Sequence, residues 1–214
     1  MKYGESTFDL FYLLFAVSSG CLLLKKAKDR AGRLMGAAAL ILGLGDAFHL
    51  VPRVLDYFME ADMTAALGIG KLVTSITMTV FYVLLYYIWL DVYQEWGETR
   101  LNMTIVVWGL AVLRIILCLF PQNGWLRNEG ELQWSYFRNV PFLILGLDLC
   151  WLYFTKRRED RCFRWMWLYI LLSFLFYIPV VVGAKAVPML GMLMLPKTIC
   201  YILMIVAFLK KNRE

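Results

Sequence analysis

Seven apolar runs divide this chain, each close to the roughly 20 residues that a helix needs to cross about 30 Å of hydrocarbon. They fall near residues 8–24, 34–54, 65–88, 103–120, 137–155, 164–184 and 188–209, and the connections between them are short. A water-soluble domain of 214 residues does not carry 61% hydrophobic and only 18% charged residues with a mean hydropathy of +0.65. The expected fold is therefore all-α: a polytopic membrane protein of seven transmembrane helices, forming a single transmembrane domain over 1–214. No stretch is left over for a separate soluble domain.

Basic residues give the expected orientation. "KKAKDRAGR" (25–33), "KRREDRCFR" (156–164) and "KKNRE" (210–214) all fall on one side of a seven-span arrangement, while the opposite loop "PQNGWLRNEGELQWSYFRN" is mixed in charge. The positive-inside rule places the N-terminus outside and the C-terminus in the cytoplasm, in the cell (plasma) membrane. The net charge of +6 then reports topology, and nucleic acid is not an expected partner, because the basic residues stand beside membrane spans. The first run is not read as a signal peptide, since "MKYGESTFD" carries more acid than base. Five scattered cysteines without a CxxC, and a single histidine, indicate no disulfide framework, no metal and no cofactor. Tryptophans and tyrosines near the span ends (Trp89, Trp96, Trp125, Trp134, Tyr136, Trp165, Trp167) read as interfacial belts. Membrane lipids and a small-molecule ligand are the expected partners, and a homo-oligomer is compatible with the sequence.

The two halves resemble one another. "KKAKDRAGRLMG" (25–36) aligns without gaps on "KRREDRCFRWMW" (156–167), with identities at Lys25/Lys156, Asp29/Asp160, Arg30/Arg161, Arg33/Arg164 and Met35/Met166. Lys71 and Lys197 also fall at equivalent depths of spans three and seven. One explanation is chance similarity between two short basic loops. The preferred one is a parallel duplication of a three-helix unit, with repeat one over 8–88, a linker helix at 103–120 that inverts the chain, and repeat two over 137–209. This 3+1+3 plan resembles the SWEET and PQ-loop transporters and, in outline, the microbial rhodopsins. The resemblance is one of architecture: Pro121-Gln122 lies in an outer loop here, whereas the PQ-loop family carries that dipeptide within spans 1 and 5.

Charges inside the spans mark the candidate site. In "GLGDAFHLVPR" (43–53), Asp46, His49 and Arg53 stand at i, i+3 and i+7, within about 60° of one helix face. At 1.5 Å per residue, Asp46 lies roughly 18 Å above the cytoplasmic edge, Lys71 about 10 Å and Lys197 about 14 Å below the outer edge. Asp148 comes to a similar level. These four charges are expected in one layer near the bilayer midplane, with Asp46 paired to Lys71. Two structural ion pairs are one reading of the layer. A polar cavity open to the outside, also lined by Thr74, Ser75, Tyr177 and Tyr201, is the other, because Pro196 is expected to break span 7 and Pro179 span 6.

The preferred function is a transporter or binding protein for a small anionic or zwitterionic solute. Lys71, Lys197 and Arg53 would hold the anion, and Asp46 with His49 would relay a proton. An alternative rests on "GAAALILGLGDAFHLVP" (36–52), which resembles the stretch around an aspartate in the lysoplasmalogenase family, where a small-residue helix ends in Gly-Asp followed by apolar residues. That resemblance implies an intramembrane lipid hydrolase, with Asp46 as one of two carboxylates doing acid–base work on a vinyl-ether lipid. The family's late Ser-Asp motif has no counterpart, since "LLSFLFYIPVVVG" in span 6 contains no acid, and Lys71 lies in the region of the family's later histidine. A ligand-sensing seven-helix receptor is the third reading.

Overall fold

The computed structural model describes residues 2–59, 62–127, 130–184 and 186–213. Seven α-helices are long and apolar enough to cross a membrane. They are α1 (Lys2–Lys26), α2 (Arg30–Phe58), α3 (Thr64–Val92), α4 (Glu98–Leu119), α5 (Leu132–Thr155), α6 (Met166–Gly183) and α7 (Met194–Lys211). Short 3₁₀ segments, Pro121–Asn123, Trp125–Arg127 and Pro188–Leu193, join α4 to α5 and α6 to α7. Each expected apolar run becomes one helix, usually lengthened by a turn or more at its polar ends. The chain is thus a seven-helix membrane protein, as hydropathy alone requires when a backbone in hydrocarbon must satisfy its own hydrogen bonds.

Two prolines behave differently from expectation. Pro196 lies in the first turn of α7, where a missing N–H costs little, so it starts the helix and does not break it. The irregular stretch lies just before it, in the Pro188–Leu193 segment. At Pro179 the helix simply continues to Gly183.

Sequence neighbours pack side by side from α1 to α7, and α1 also touches α7, so the helices close into a ring. Helix α3 is the most buried of the seven and reaches α5 as well as its neighbours. Its side chains Phe81, Tyr82, Leu85, Tyr86, Ile88 and Trp89 are fully buried. Trp89 Nε1 donates to the Leu152 carbonyl at 3.0 Å, and Tyr153 Oη donates to the Leu85 carbonyl at 2.9 Å, tying α3 to α5 in both directions. Trp89 is therefore core and not part of an interfacial belt: its indole N–H finds a protein carbonyl in place of a headgroup. By contrast α4 turns Leu101, Ile105, Trp108, Val112, Ile116 and Leu119 outward, which is the face that lipid would cover.

Hydrophobic transfer cannot draw helices together within lipid, so close packing must. Helices α2 and α3 meet through glycines. A Cβ on Gly45 would overlap the Thr77 side chain, and one on Gly70 would overlap the Phe48 carbonyl. The approach also lets Thr74 Oγ1 donate to the Gly45 carbonyl at 3.0 Å. On the same helix, Gly68 admits the Trp125 carbonyl of the α4–α5 connection, which folds back over α3.

At the basic end of the bundle, Asp29 caps α2 by accepting from Gly32 N at 2.7 Å, and Asp160 accepts from Phe163 N at 2.9 Å. The two aspartates that the internal alignment matches thus make the same i to i+3 bond. Asp160 also pairs with Lys211 at 2.6 Å. Glu95 accepts from Arg100 and Lys156, both at 2.8 Å, and these bonds hold its carboxyl below the usual carboxylate range.

The glycine contacts make a direct prediction. Gly70→Ala should lower the unfolding free energy in detergent by about 1–3 kcal/mol, the usual cost of overpacking. Gly109→Ala, whose Cβ meets nothing within 4 Å, should leave it unchanged. Equal thermal melts for the two variants would show that the α2–α3 crossing is not tightly packed.

Candidate functional site

A cavity of ≈ 280 Å³ opens among α2 to α7 in the half of the bundle away from the basic end. Its wall includes His49 from α2, Lys71, Thr74 and Ser75 from α3, Tyr177 from α6 and Lys197 from α7. Six of the ten expected site residues therefore meet. Two arginines that sequence reasoning passed over join them: Arg114 from α4 and Arg138 from α5. The wall thus holds two lysines, two arginines and a histidine, and no aspartate or glutamate is among the described residues that form it.

Arg114 is the most demanding of these groups. It is 2% exposed, and its Nε and Nη1 have no hydrogen-bond partner among the described residues. Its guanidinium carbon lies 3.3 Å from the centroid of the Phe142 ring, a cation–π contact that orients the plane without satisfying its N–H groups. A buried charge left with open donors costs several kcal/mol, so this position is at odds with a purely structural role. A signal was present in the sequence, since an arginine inside "GLAVLRIILCLF" is itself an intramembrane charge.

The other cations are held more firmly. Arg138 donates from Nη1 to Asn123 Oδ1 at 2.5 Å and lies 4.6 Å over the Trp125 ring. Asn123 is fixed in turn by donating to the Leu117 and Phe120 carbonyls at the end of α4, at 2.8 and 2.9 Å. Trp125 lines the cavity and donates to the Cys118 carbonyl at 2.8 Å, which makes it a roof and not a belt residue. Lys197 Nζ lies 4.3 Å from the Tyr177 ring and 5.5 Å from that of Tyr201. Tyr177 Oη donates to Asn139 Oδ1 at 2.8 Å, joining α6 to α5. Behind this wall Tyr82, Phe142 and Phe174 form a dry cluster with ring centroids 4.9–5.4 Å apart.

The remaining expected residues lie elsewhere. Asp46 does not line the cavity. It accepts a hydrogen bond from Tyr12 Oη of α1 at 2.6 Å, and Lys197 is a cation whose field acts on it from the cavity side. Arg53 pairs with Glu5 of α1 and contacts Tyr57, forming a clamp between α1 and α2 near their ends away from the basic side. Asp148 stands apart. It lies seven residues before the end of α5 at the basic side, about 10 Å from that end, and so misses the expected layer. Tyr201 is buried beneath Lys197, edge-on to Phe81 at 6.0 Å. His49 bonds to the Leu67 backbone and Asp46 to Tyr12, so the hydrogen bonds of these two groups do not link them into a relay.

Lys71 lies at about the depth expected, and both arginines lie close to its level. Lys71 is seven residues from the start of α3, Arg138 six from the start of α5 and Arg114 five from the end of α4. These spacings put the three cations about 8–11 Å from the helix ends that lie away from the basic side. Fixed positive charge and oriented donors over a small apolar floor are chemically suited to an anionic group. Comparison with protein-family models, curated proteins and solved structures found no match. Fold and site together define a seven-helix membrane protein with a cation-lined cavity.

The Tyr12–Asp46 bond makes a prediction of its own. Tyr12→Phe should cost about 1–3 kcal/mol, because it leaves a buried carboxyl without its donor. Adding Asp46→Leu to Tyr12→Phe should recover part of that loss in a chemical-denaturation cycle. Strict additivity of the two substitutions would mean that the bond contributes nothing.

Proposed function

We propose that this chain is a small seven-helix transporter or binding protein whose ligand is a small anionic or zwitterionic molecule, held by its anionic group. The supporting observation is Arg114: a buried guanidinium, two of whose nitrogens have no partner among the described residues, in the wall of a cavity that contains three more cations and no described acid. A cavity of this kind is stabilised by an anion and strained without one. Lys71, Arg138 and Lys197 supply charge from three further helices, and Thr74, Ser75 and Asn139 supply neutral donors and acceptors. A hydrolase centred on Asp46 gains no support from the geometry, because that carboxyl is bonded to Tyr12 and does not line the cavity.

The same reading takes the N-terminus as external, the C-terminus as cytoplasmic and the cell membrane as the location. The cavity then faces outward. A 3+1+3 arrangement is supported by the matching Asp29 and Asp160 bonds and by Lys71 and Lys197 lining one cavity from α3 and α7. Reporter fusions test the topology. A reporter after Glu214 should respond as cytoplasmic and one inserted between Asn123 and Gly124 as external. Finding both on one side of the membrane would remove the orientation and the duplication together.

Binding is tested by thermal stabilisation of purified protein with inorganic phosphate and citrate, using choline as a cationic control. Phosphate or citrate should raise the melting temperature and choline should not. Lys197→Ala should weaken the anion about 10-fold or more, as expected for loss of a charged hydrogen bond. Arg114→Met should abolish the anion response while raising the ligand-free melting temperature, because an uncompensated buried charge gives way to an apolar side chain. A lower melting temperature for Arg114→Met would make the arginine structural and overturn the reading. Release of a product from an ether lysolipid, lost in Asp46→Asn, would establish the hydrolase instead.

A further inference from the structure

Tyr177 has a cavity on each side. That residue, Asn139 and Val181 also line a second, apolar cavity of ≈ 210 Å³ between α5 and α6. The rest of its wall is largely hydrocarbon, with Val140, Leu143, Phe174 and Ile178 among the side chains. Val140 is 54% and Val182 55% exposed, so the groove opens onto the outer surface of the bundle, where lipid lies. An anion-binding chamber and a hydrocarbon-binding groove thus share one wall.

We propose that the ligand is an anionic amphiphile drawn from the surrounding leaflet, with a phosphate-class headgroup in the cationic cavity and its hydrocarbon chain in the α5–α6 groove. This rests on the cavity being the ligand site, and it narrows the ligand class. Two independent observations support it. The first is chemical complementarity: Lys71, Arg114, Arg138 and Lys197 on one side of Tyr177, apolar side chains on the other. The second is depth. Arg138 and Arg114 lie about 8–9 Å below the ends of α5 and α4. The 22 residues of α4 span about 33 Å, little more than the hydrocarbon core, so the cations stand just inside the hydrocarbon, beneath the level of lipid phosphates.

A lipid would reach the site sideways, with its chain never leaving an apolar medium. Moving that chain from bilayer to groove gains little free energy, because both are hydrocarbon. Discrimination therefore falls to the headgroup, where the fixed charges are. The Tyr177–Asn139 hydrogen bond at 2.8 Å crosses the shared wall, and the ligand's neck would lie beside it.

The test uses the full chain in dodecyl maltoside, titrated with dodecyl phosphate, dodecylphosphocholine and inorganic phosphate while melting is followed. Dodecyl phosphate should stabilise saturably at a concentration at least about ten-fold below that for inorganic phosphate, and dodecylphosphocholine should not compete with it. Ile178→Trp, at a groove position that does not itself line the cavity, should bring dodecyl phosphate down to the affinity of inorganic phosphate and leave inorganic phosphate unchanged. Val182→Trp, at a more exposed groove position, serves if Ile178→Trp does not fold. Equal affinity for the two phosphates, insensitive to both tryptophans, would overturn the amphiphile and leave a small-anion site standing. Equal stabilisation by dodecyl phosphate and dodecylphosphocholine would mean a non-selective lipid annulus and would overturn it as well. No response to either phosphate would remove the anion cavity itself.

Discussion

Hydrocarbon offers no hydrogen bonds and no solvation for charge, and most features of this protein follow from that. The backbone closes its own bonds in seven helices, and the polar side chains within them turn toward other helices. Trp89, Tyr153, Thr74 and Tyr12 each find a specific acceptor on a neighbouring helix. Where two helices must come close enough for such bonds, glycine supplies the space. The α2–α3 crossing at Gly45 and Gly70 brings the Asp46–His49 segment against α3, and Gly68 lets the α4–α5 connection settle as a roof.

Among these charged groups the cationic cavity stands out. The bundle tolerates Arg53 by pairing it with Glu5, and Asp46 by giving it the Tyr12 hydroxyl. It gives Arg114 the face of Phe142 and the Cys118 thiol, and leaves two of its nitrogens without a partner among the described residues. The aromatic cluster under the cavity keeps the floor dry, so a charge placed there is felt more strongly than it would be in water. Arg138, by contrast, is held by Asn123 and Trp125, so the site combines a rigid cation with a cation in need of a counter-charge.

The apolar groove next to this cavity gives the arrangement a direction. A chamber reached only from water would be sealed from lipid by large side chains. Here its wall is formed by Tyr177, Asn139 and Val181, and the far side of that wall is open to the bilayer surface. Helices α5 and α6 therefore act as a lateral boundary between charge and hydrocarbon, joined there by the Tyr177–Asn139 and Tyr136–Val182 hydrogen bonds.

The sequence by itself determined the number of spans, their limits to within a turn or two and the gathering of basic residues at one end. These depend on composition along the chain, and composition is fully visible there. It also identified His49, Lys71, Thr74, Ser75, Tyr177 and Lys197, because polar groups inside apolar runs are visible in the same way. Only the tertiary structure decided which of these groups meet. Position around a helix axis, unlike position along it, is set by the partners against which each helix packs. The α2 face that carries Asp46, His49 and Arg53 is shared between α1 and α3, so Asp46 and Arg53 go to Tyr12 and Glu5 while His49 goes to the cavity. Asp148 lies too far along α5 to join them, and Arg114 and Arg138 enter because α4 and α5 turn those faces inward. Rotation of rigid helices, fixed by glycine contacts and buried rings, made a cationic chamber out of charges that looked balanced in one dimension.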